Sequence, residues 1–241
     1  MSNHKTVLQT SLLCLALVAT TSYAAKNDDD DMTEYLPYNE KATKEWSLIK
    51  DDKRHKIKAY SKKEDGQRFR SFKVQGILNG SLEAAARCHF DIENIPSWYM
   101  NVTEAKLLKR VSDTEYYFYF YAKMPFGVPH RDVVVHAKIQ PYSTKTGFLA
   151  ISYSAAPDFI PIKSGVIRMP SYETITKLRP ISEDQTEEQL EGYVDPGGEG
   201  LPIWLVNYAQ RRTPYSNMIG RQRVISKCAA SDSPITFKYK E

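Results

Sequence analysis

The sequence predicts an α+β fold in which a long antiparallel sheet packs against one long helix near the end of the chain. Between residues 57 and 194, apolar and polar side chains alternate in short runs separated by turn residues, as in half-buried strands. Two short helical segments near residues 81–98 interrupt this series. From Leu201 to Ser226, similar side chains recur every three or four positions, which is typical of a helix. Many strands followed by one long helix indicate an α+β fold whose sheet twists and curves.

The first 24 residues have the pattern of a cleavable secretory signal. Lys5 supplies a positive charge, residues 7–20 form a mostly apolar run, and Ser22 and Ala24 are small residues before a cleavage point at Ala25. The apolar run is too short to span a bilayer comfortably. We therefore expect an exported protein, periplasmic if the source is a Gram-negative bacterium and otherwise secreted.

The rest of the chain divides into a linker, one domain and a tail. Residues 25–40 contain four consecutive aspartates and little apolar content, so they are predicted to be a solvated linker. The domain is predicted to span residues 41–228, and residues 229–241 form the tail. A net charge of +4 is too weak to indicate nucleic acid, although it is compatible with transient contact with an anionic membrane surface.

The early elements are predicted to be a helix, two strands and two further helices. In order, they cover residues 42–49, 57–61 and 69–78, a helix after the capping residue Ser81, and a short helix that starts near Pro96. In the strand at 69–78, Phe72, Val74 and Leu78 are expected to share the buried face.

Six strands are predicted to follow in quick succession. They cover residues 105–111, 115–123, 131–140, 148–155, 165–179 and 187–194. The second of them holds six consecutive aromatic residues, 116–121, so both of its faces are bulky. This run is interpreted either as cavity lining or as ordinary core. The strand at 165–179 is expected to bend at Pro170.

The last helix is predicted to have one small and nearly uncharged face and one aromatic face. The small face consists of Val206, Ala209, Thr213, Ser216, Gly220 and Val224. The aromatic stripe consists of Trp204, Tyr208, Tyr215 and Ile219. Four arginines give the helix a basic character: Arg211, Arg212, Arg221 and Arg223. Pro202 suits the first helical turn, and Pro214 is expected to kink the helix.

Two cysteines, Cys88 and Cys228, remain after the predicted signal. In an oxidising compartment they can form a disulfide that ties the last helix to an early helix. Two cysteines in a chain of this length can equally stay unpaired and buried. Both interpretations remain open from the sequence.

Four motifs in this chain resemble the START domain, the lipid-transfer domain related to the steroidogenic acute regulatory protein. The first is Ile-Pro-Ser-Trp at 95–98, which leads to Lys-Leu-Leu-Lys at 106–109, and the second is Met-Pro at 124–125 before Pro-His-Arg-Asp-Val-Val at 129–134. The third is Gly-Val-Ile-Arg at 165–168. The fourth is Asp-Pro-Gly-Gly at 195–198, followed by Leu-Pro at 201–202 and Trp-Leu-Val-Asn at 204–207. Their order and spacing cover roughly residues 40–228. The resemblance implies a helix-grip fold, in which a curved sheet wraps around the last helix and encloses a lipid-sized tunnel. It also implies that this helix and a nearby loop act as the gate.

The resemblance also suggests which residues would contact a ligand. In sterol-binding members, a buried acid and base line the tunnel, and by rough alignment these fall at Tyr119 and near His136 or Ala137, where no charge pair remains. Phosphatidylcholine-binding members surround choline with aromatic residues, so Tyr117, Tyr119 and Tyr121 are candidates for cation–π contact. The other candidate lipid-binding residues are Arg131, Arg168, Trp204 and Tyr208.

The two candidate arginines have a structural interpretation as well. Arg131 or Arg168 can pair with a lipid head group, or either can form a salt bridge with Asp132 or Asp158 at a strand end. The salt bridge is the favoured interpretation, because such positions recur in family members that have different ligands.

Two function classes follow from these observations. The favoured one is a non-catalytic carrier of a lipid or other hydrophobic molecule, with no cofactor and no catalytic residue. The alternative is an enzyme of the polyketide cyclase or aromatase type, which shares the helix-grip fold. A histidine or carboxylate deep in the cavity would favour the enzyme. The histidines are too scattered for a metal site, and no nucleophile elbow or phosphate loop occurs.

Overall fold

A computed structural model describes residues 45–125, 127–198 and 201–230. In this part of the chain, ten strands form one sheet. The strands are β1 Ser47–Asp52, β2 Ile57–Lys62, β3 Ser71–Leu78, β4 Val102–Ser112, β5 Glu115–Ala122, β6 His130–Gln140, β7 Leu149–Ala155, β8 Val166–Arg168, β9 Ser171–Pro180 and β10 Thr186–Asp195. The helices are α1 Leu82–Phe90 and α2 Ile203–Ala229, with a 3₁₀ helix at Ile92–Ser97. The signal and linker predicted for residues 1–40 lie outside the described residues.

The sheet runs in the order β1-β2-β3-β10-β9-β7-β6-β5-β4, and each neighbouring pair in this order is antiparallel. Strand β10 connects the first three strands to the rest of the sheet, because it pairs with β3 on one side and with β9 on the other. The short β8 lies parallel to the start of β6. Helix α2 packs on β2, β3 and α1, so it covers one face of the sheet. The predicted α+β class with a helix-grip arrangement is confirmed.

Alternation of side chains decides which face of each strand is buried. On β6, Val133, Val135 and Ala137 are fully buried, whereas Lys138 and Gln140 are exposed. On β3, the predicted inner residues Val74 and Leu78 are likewise fully buried. These side chains join residues of α1 and α2 in one large apolar core.

The predicted cap of α1 is confirmed, because the Ser81 hydroxyl accepts a hydrogen bond of 3.2 Å from the Ala84 amide. Three other local predictions are wrong in detail. Residues 47–49 belong to strand β1 rather than to a helix. The short helix begins at Ile92, and Pro96 lies near its end. The strand predicted at 165–179 is two strands separated at Pro170, because proline cannot donate to a ladder.

The buried face of α2 also differs from the predicted one. Its buried residues are Val206, Gln210, Pro214, Asn217, Met218, Ile219, Arg221, Ile225 and Cys228. Most of these residues directly follow in sequence a residue of the predicted small-residue face, so the buried face is rotated around the helix axis by the angle of about one residue. The buried face also includes polar side chains. Gln210, Asn217 and Arg221 each hydrogen-bond to a residue outside the helix, and hydrophobic periodicity cannot predict such contacts. The helix continues through Pro214 to Ala229.

The two ends of α2 are held in different ways. Near its C-terminal end, Cys228 is joined to Cys88 of α1 by a disulfide with Cα atoms 5.1 Å apart. About two turns earlier in the helix, Gly220 lies so close to the end of the 3₁₀ segment that a Cβ there would be 2.2 Å from the Trp98 carbonyl oxygen. At the N-terminal end, Leu201 and Val206 pack with Phe69 in a small separate cluster. The C-terminal part of α2 is therefore the firmly anchored part.

Candidate functional site

A cavity lies between the inner face of the sheet and α2, with a volume of about 40 Å³. Its wall consists of His89, Ile95, Trp98, Tyr99, Phe118, Phe120, Tyr153, Tyr172, Thr174, Thr176, Leu190, Asn217 and Arg221. The space holds a few water molecules at most, whereas pockets for organic ligands are typically about 300–1,000 Å³. A lipid therefore requires that the helix or the aromatic side chains move outward.

The aromatic part of the wall comes from several elements. Phe118 and Phe120 project inward from β5, because residues two apart share a face of a strand. The ring of Phe120 lies 5.5 Å from that of Tyr99, and the Tyr99 hydroxyl lies 3.1 Å from the Tyr172 hydroxyl. Burial raises the pKa of both tyrosines, so both hydroxyls stay protonated near neutral pH. This part of the wall suits an apolar ligand surface.

A fully buried ion pair forms the polar end of the wall. Arg221 of α2 contacts Glu188 of β10 through Nε at 2.8 Å and Nη2 at 2.6 Å. The Arg221 guanidinium also lies 4.8 Å from the centre of the Trp98 ring. Burial alone would raise the pKa of Glu188, but the charge of Arg221, with a smaller contribution from His89, holds this pKa at about 2. Glu188 is therefore ionised at neutral pH and neutralises Arg221.

His89 of α1 connects this pair to the opposite side of the cavity. Its Nε2 lies 3.5 Å from Glu188 Oε1, and its Nδ1 lies 3.1 Å from the Tyr153 hydroxyl. Because a carboxylate only accepts hydrogen bonds, these positions favour a tautomer with the proton on Nε2 and with Nδ1 accepting from Tyr153. Burial raises the pKa of Tyr153 well above its usual value. Both ring nitrogens of His89 thus face groups of the protein.

Several buried polar atoms at this wall make no hydrogen bond within the described residues, and they include Arg221 Nη2 and His89 Nε2, which lie near Glu188 as ion-pair contacts only. The hydroxyls of Thr174 and Thr176 on β9 are buried and make no hydrogen bond within the described residues. Asn217 of α2 accepts a hydrogen bond of 2.9 Å from the Met100 amide. A buried hydroxyl without a partner is costly, so these two threonines are available to a ligand or to bound water.

The candidate choline-binding tyrosines lie on the wrong face of β5. Tyr117 stacks on His136 and Phe159 outside the cavity, with ring centres 4.3 and 4.2 Å apart respectively. The Lys163 ammonium lies 4.6 Å from the centre of the Tyr119 ring, and Tyr121 packs on His130. The structure thus places Tyr117, Tyr119 and Tyr121 outside the inner cavity, because the inward residues of β5 are the even-numbered ones, such as Phe118 and Phe120.

Arg131 and Arg168 are engaged by the protein itself. Arg168 binds Asp132 through two hydrogen bonds of 2.7 and 3.1 Å, and it also donates to three backbone carbonyls. Arg131 donates to the carbonyls of Pro129, Pro196 and Gly197. The favoured salt bridge is therefore present for Arg168 with Asp132. The prediction that either arginine contacts a lipid head group has no support in this geometry.

Trp204 and Tyr208 lie at the start of α2 and do not line the cavity. Trp204 is 70% exposed, and the Tyr208 hydroxyl accepts a hydrogen bond of 2.9 Å from Arg212. Arg221, which was expected on the basic surface of α2, is instead buried in the pair with Glu188. Any role of Trp204 and Tyr208 in lipid contact would therefore be at the entrance rather than inside.

Sequence reasoning missed Glu188, Arg221, His89 and the two threonines of the wall. One signal was available for Glu188, because it shares the face of β10 with Leu190, which the sequence placed inward. A signal for Arg221 was the spacing of Val206, Ile225 and Cys228 on α2, which includes position 221. The family resemblance did not locate this pair either, because the positions that it suggested for a buried acid and base, Tyr119 and His136, lie on the outer face of the sheet.

A second hollow of about 340 Å³ lies over the outer face of the sheet. Its lining is mostly polar and includes His136, Lys138, Ser152, Ser154 and Glu173. The inner cavity is the better candidate for an apolar ligand because aromatic side chains enclose it. Among the described residues, no cluster of His, Cys, Asp and Glu has the form of a metal site, and no helix is long and apolar enough to cross a membrane.

Comparisons with known proteins agree with this architecture. No family model matches the chain. The crystal structure of a STAR-related lipid transfer protein from Xanthomonas axonopodis is similar, with a TM-score of 0.68 and 27% sequence identity, covering 75% of this chain and 98% of that one. An uncharacterised protein of Pseudomonas aeruginosa is 26% identical over 183 residues, which is 76% of this chain and 88% of that protein.

A third similarity is to a protein named for its ligand. Mouse phosphatidylcholine transfer protein is 26% identical over 143 residues, covering 58% of this chain and 65% of that protein, slightly less than two thirds of its length. The sheet that packs on α2, the order of the motifs and these similarities together show that the chain has the helix-grip fold of START lipid-transfer domains.

Proposed function

We propose that this domain binds one lipid or other hydrophobic molecule between the sheet and α2 and carries it without chemical change. The observation that carries the proposal is the aromatic cavity enclosed by these elements, formed by Phe118, Phe120, Tyr99 and Tyr172 among others. Burying an acyl chain contributes about 0.8 kcal/mol per methylene. A long chain therefore gives useful affinity even after the cost of ordering it. The names of the similar lipid transfer proteins support the same class of ligand.

The N-terminal part of α2 is the proposed gate. Gly197 and Gly198 precede the helix with φ of +66° and +81°, so they form a tight turn that other residues rarely adopt. Arg131 holds this turn through the carbonyls of Pro196 and Gly197 at 3.3 Å each. Beyond it, the start of α2 packs on the small cluster around Phe69, and Asn207 and Gln210 hydrogen-bond to the backbone of Arg70 and Val194. The helix can therefore swing outward from this end while its disulfide-bonded end stays in place.

The same end of α2 is the proposed point of contact with a membrane. Ile203 is 53% exposed and Trp204 is 70% exposed, and an exposed tryptophan suits the interface of a bilayer. Arg223 is exposed further along the helix, whereas Arg221 is buried and does not contribute. Contact with the membrane would thus place apolar side chains of the opening helix next to the lipid that enters.

Two measurements test the carrier function. Organic extraction of the purified protein, followed by mass spectrometry, is expected to yield one class of hydrophobic molecule in near-stoichiometric amount. Purified protein is also expected to move that molecule between donor and acceptor vesicles and to return it unchanged. Recovery of a chemically altered product, or the absence of any bound or transferred lipid, would contradict the proposal.

The enzyme alternative has one observation in its favour, because His89 lies in the wall of the cavity. Its ring nitrogens already face Glu188 and Tyr153, however, and the charge of Glu188 is balanced by Arg221. The pKa of Tyr153 is raised by burial, which makes its hydroxyl a poor acid near neutral pH. A catalytic role would show as altered ligand after incubation and as loss of that alteration in His89→Ala.

Export is part of the proposal, and its motive is the signal-like pattern of the first 24 residues. N-terminal sequencing of the exported protein is expected to begin at Ala25. Finding Met1 on protein that remains in the cytoplasm would contradict export.

A further inference from the structure

The charge balance of the cavity wall restricts which polar group a ligand can carry inside. Arg221 is the single permanently charged side chain among the residues of the wall, all of which belong to the described part of the chain. It is neutralised by Glu188, which lies behind it at 2.6–2.8 Å and is fully buried. The cavity therefore has no surplus positive charge with which to compensate an anion.

A phosphodiester would be poorly accommodated in this environment. Its negative charge would lose its hydration and would have to compete with Glu188 for the same guanidinium. The positive quaternary ammonium group of a choline head group would not remove this difficulty, because it needs an aromatic face or an anion of its own. The face of Trp98, one of the aromatic surfaces that could serve it, is already covered by Arg221 at 4.8 Å.

An uncharged polar group fits the wall better. The hydroxyl of Thr176 is fully buried, faces the cavity and makes no hydrogen bond within the described residues. The Thr174 hydroxyl lies on the same face of β9, two residues away. Each hydroxyl can donate to a carbonyl oxygen or accept from a ligand hydroxyl.

We propose that the cavity selects an uncharged amphiphile whose hydroxyl or carbonyl group hydrogen-bonds to Thr176, and that it discriminates against phosphodiester head groups. This inference rests on the proposed function, because it names the class of ligand for the same cavity. It separates this chain from the phosphatidylcholine transfer protein that it resembles in sequence. The acyl part of the ligand lies among the aromatic side chains, and its polar group lies at β9 near the ion pair.

Competition between two lipids with identical acyl chains tests the selection directly. Delipidated full-length protein is incubated with equal amounts of dioleoylglycerol and dioleoylphosphatidylcholine, is re-isolated, and its bound lipid is quantified by mass spectrometry. Dioleoylglycerol is expected to exceed dioleoylphosphatidylcholine by about tenfold or more, the ratio for a difference of 1.4 kcal/mol in binding free energy. Equal or preferred binding of phosphatidylcholine overturns the inference but leaves the carrier function standing. Binding of neither lipid contradicts both proposals.

The variant Thr176→Val tests the hydrogen bond because valine has nearly the same shape but no hydroxyl. It is expected to weaken dioleoylglycerol binding by about three- to tenfold, as for the loss of one neutral hydrogen bond. The same change is expected to raise the Tm of the ligand-free protein, because it removes a buried hydroxyl that lacks a partner. Thr103→Val, at an exposed position of β4, is the matched control and should change neither quantity. Unchanged dioleoylglycerol binding in folded Thr176→Val overturns the inference.

Discussion

At the scale of single residues, the pair Glu188–Arg221 is the feature that most constrains the interior. Both side chains are essentially inaccessible to solvent, and Arg221 reaches Glu188 through two nitrogen atoms. Such a pair is tolerated because each charge satisfies the other in a low-dielectric environment. Removing one partner leaves the other charge buried and uncompensated, which costs more than the pair itself contributes.

We expect Glu188→Gln to lower the free energy of unfolding at pH 7 by roughly 3–5 kcal/mol. Chemical denaturation measures this, and Glu187→Gln, on the opposite face of the same strand, is the matched control. If Glu188→Gln does not fold, the double variant Glu188→Leu with Arg221→Met is expected to recover most of the stability, because apolar residues then fill the same volume. A fully stable Glu188→Gln protein would show that the pair is not energetically important.

The same residue predicts how stability depends on pH. The pKa of Glu188 is lowered from 4.5 to about 2 in the folded protein, despite the opposing effect of burial, mainly because of Arg221. A lowered folded-state pKa means that the stabilisation is complete above about 4.5, the value in the unfolded chain, and is lost as the pH falls through about 2. The stability difference between native protein and Glu188→Gln should therefore shrink between pH 4.5 and pH 2. A difference that stays constant over this range would contradict the assignment.

At the scale of elements, α2 is held tightly at one end and loosely at the other. Gly220 allows the helix to approach the 3₁₀ segment, and Cys228 joins it covalently to α1. The start of the helix packs on the small cluster of Phe69, Leu201 and Val206 and is held by hydrogen bonds of Asn207 and Gln210. This absence of a covalent anchor within the described N-terminal part of α2 is the physical basis of the proposed opening at that end.

Gly220→Ala tests the close approach at the anchored end. At a solvent-exposed position inside a helix, this change raises the free energy of unfolding by about 1 kcal/mol, because alanine has the higher helix propensity. Here the new Cβ would lie 2.2 Å from the Trp98 carbonyl oxygen, so the helix must shift and the free energy of unfolding should fall instead. Thermal unfolding measures the sign, with Ser226→Ala at an exposed helical position as the control. A rise in Tm for Gly220→Ala would show that the approach is not close.

The bridge between Cys88 and Cys228 predicts a second effect at this end. The protein, purified without reductant, should gain the mass of two hydrogens on reduction, and replacing both cysteines by alanine should lower its stability by roughly 2–5 kcal/mol. The reason is that the bridge closes a segment of 140 residues and so restricts the unfolded chain. Two freely alkylated thiols in native exported protein would contradict the bridge.

At the scale of the whole molecule, ligand exchange should depend on the turn before α2. A Cβ at Gly198 would lie 2.9 Å from Ile167 Cδ1, so Gly198→Cys and Ile167→Cys place two thiols close together across the proposed gate. Cross-linking them is expected to stop lipid transfer between vesicles, and reduction is expected to restore it. A cysteine at a φ of +81° is strained by about 1–2 kcal/mol, so each single variant is measured alongside.

The native protein under the same reductant is a further control for this experiment, because reduction also opens Cys88–Cys228. Transfer that continues at the normal rate with complete cross-linking would show that this end of α2 is not the gate.

The fold could be predicted from the sequence because it depends on local patterns. Alternation along β3 and β6 and the cap at Ser81 each follow from neighbouring residues, and the structure confirms them. The site could be predicted only in part. Phe118 and Phe120 fall in the aromatic run, but six consecutive aromatics do not reveal which parity faces inward. That choice depends on which face of β5 the rest of the molecule covers.

By itself, the sequence determined the α+β class, most of the strands along the chain and the long last helix, because hydrophobic period and turn residues act over short distances. Only the tertiary structure decided the chemistry of the interior. Glu188 and Arg221 lie 33 residues apart, on different elements, and the inward-facing position of each does not reveal that the two form a pair. A charged side chain can be buried only when folding brings a partner to it. The polar site of this protein is therefore formed by side chains of β10, α1 and α2 that come together only when the chain folds.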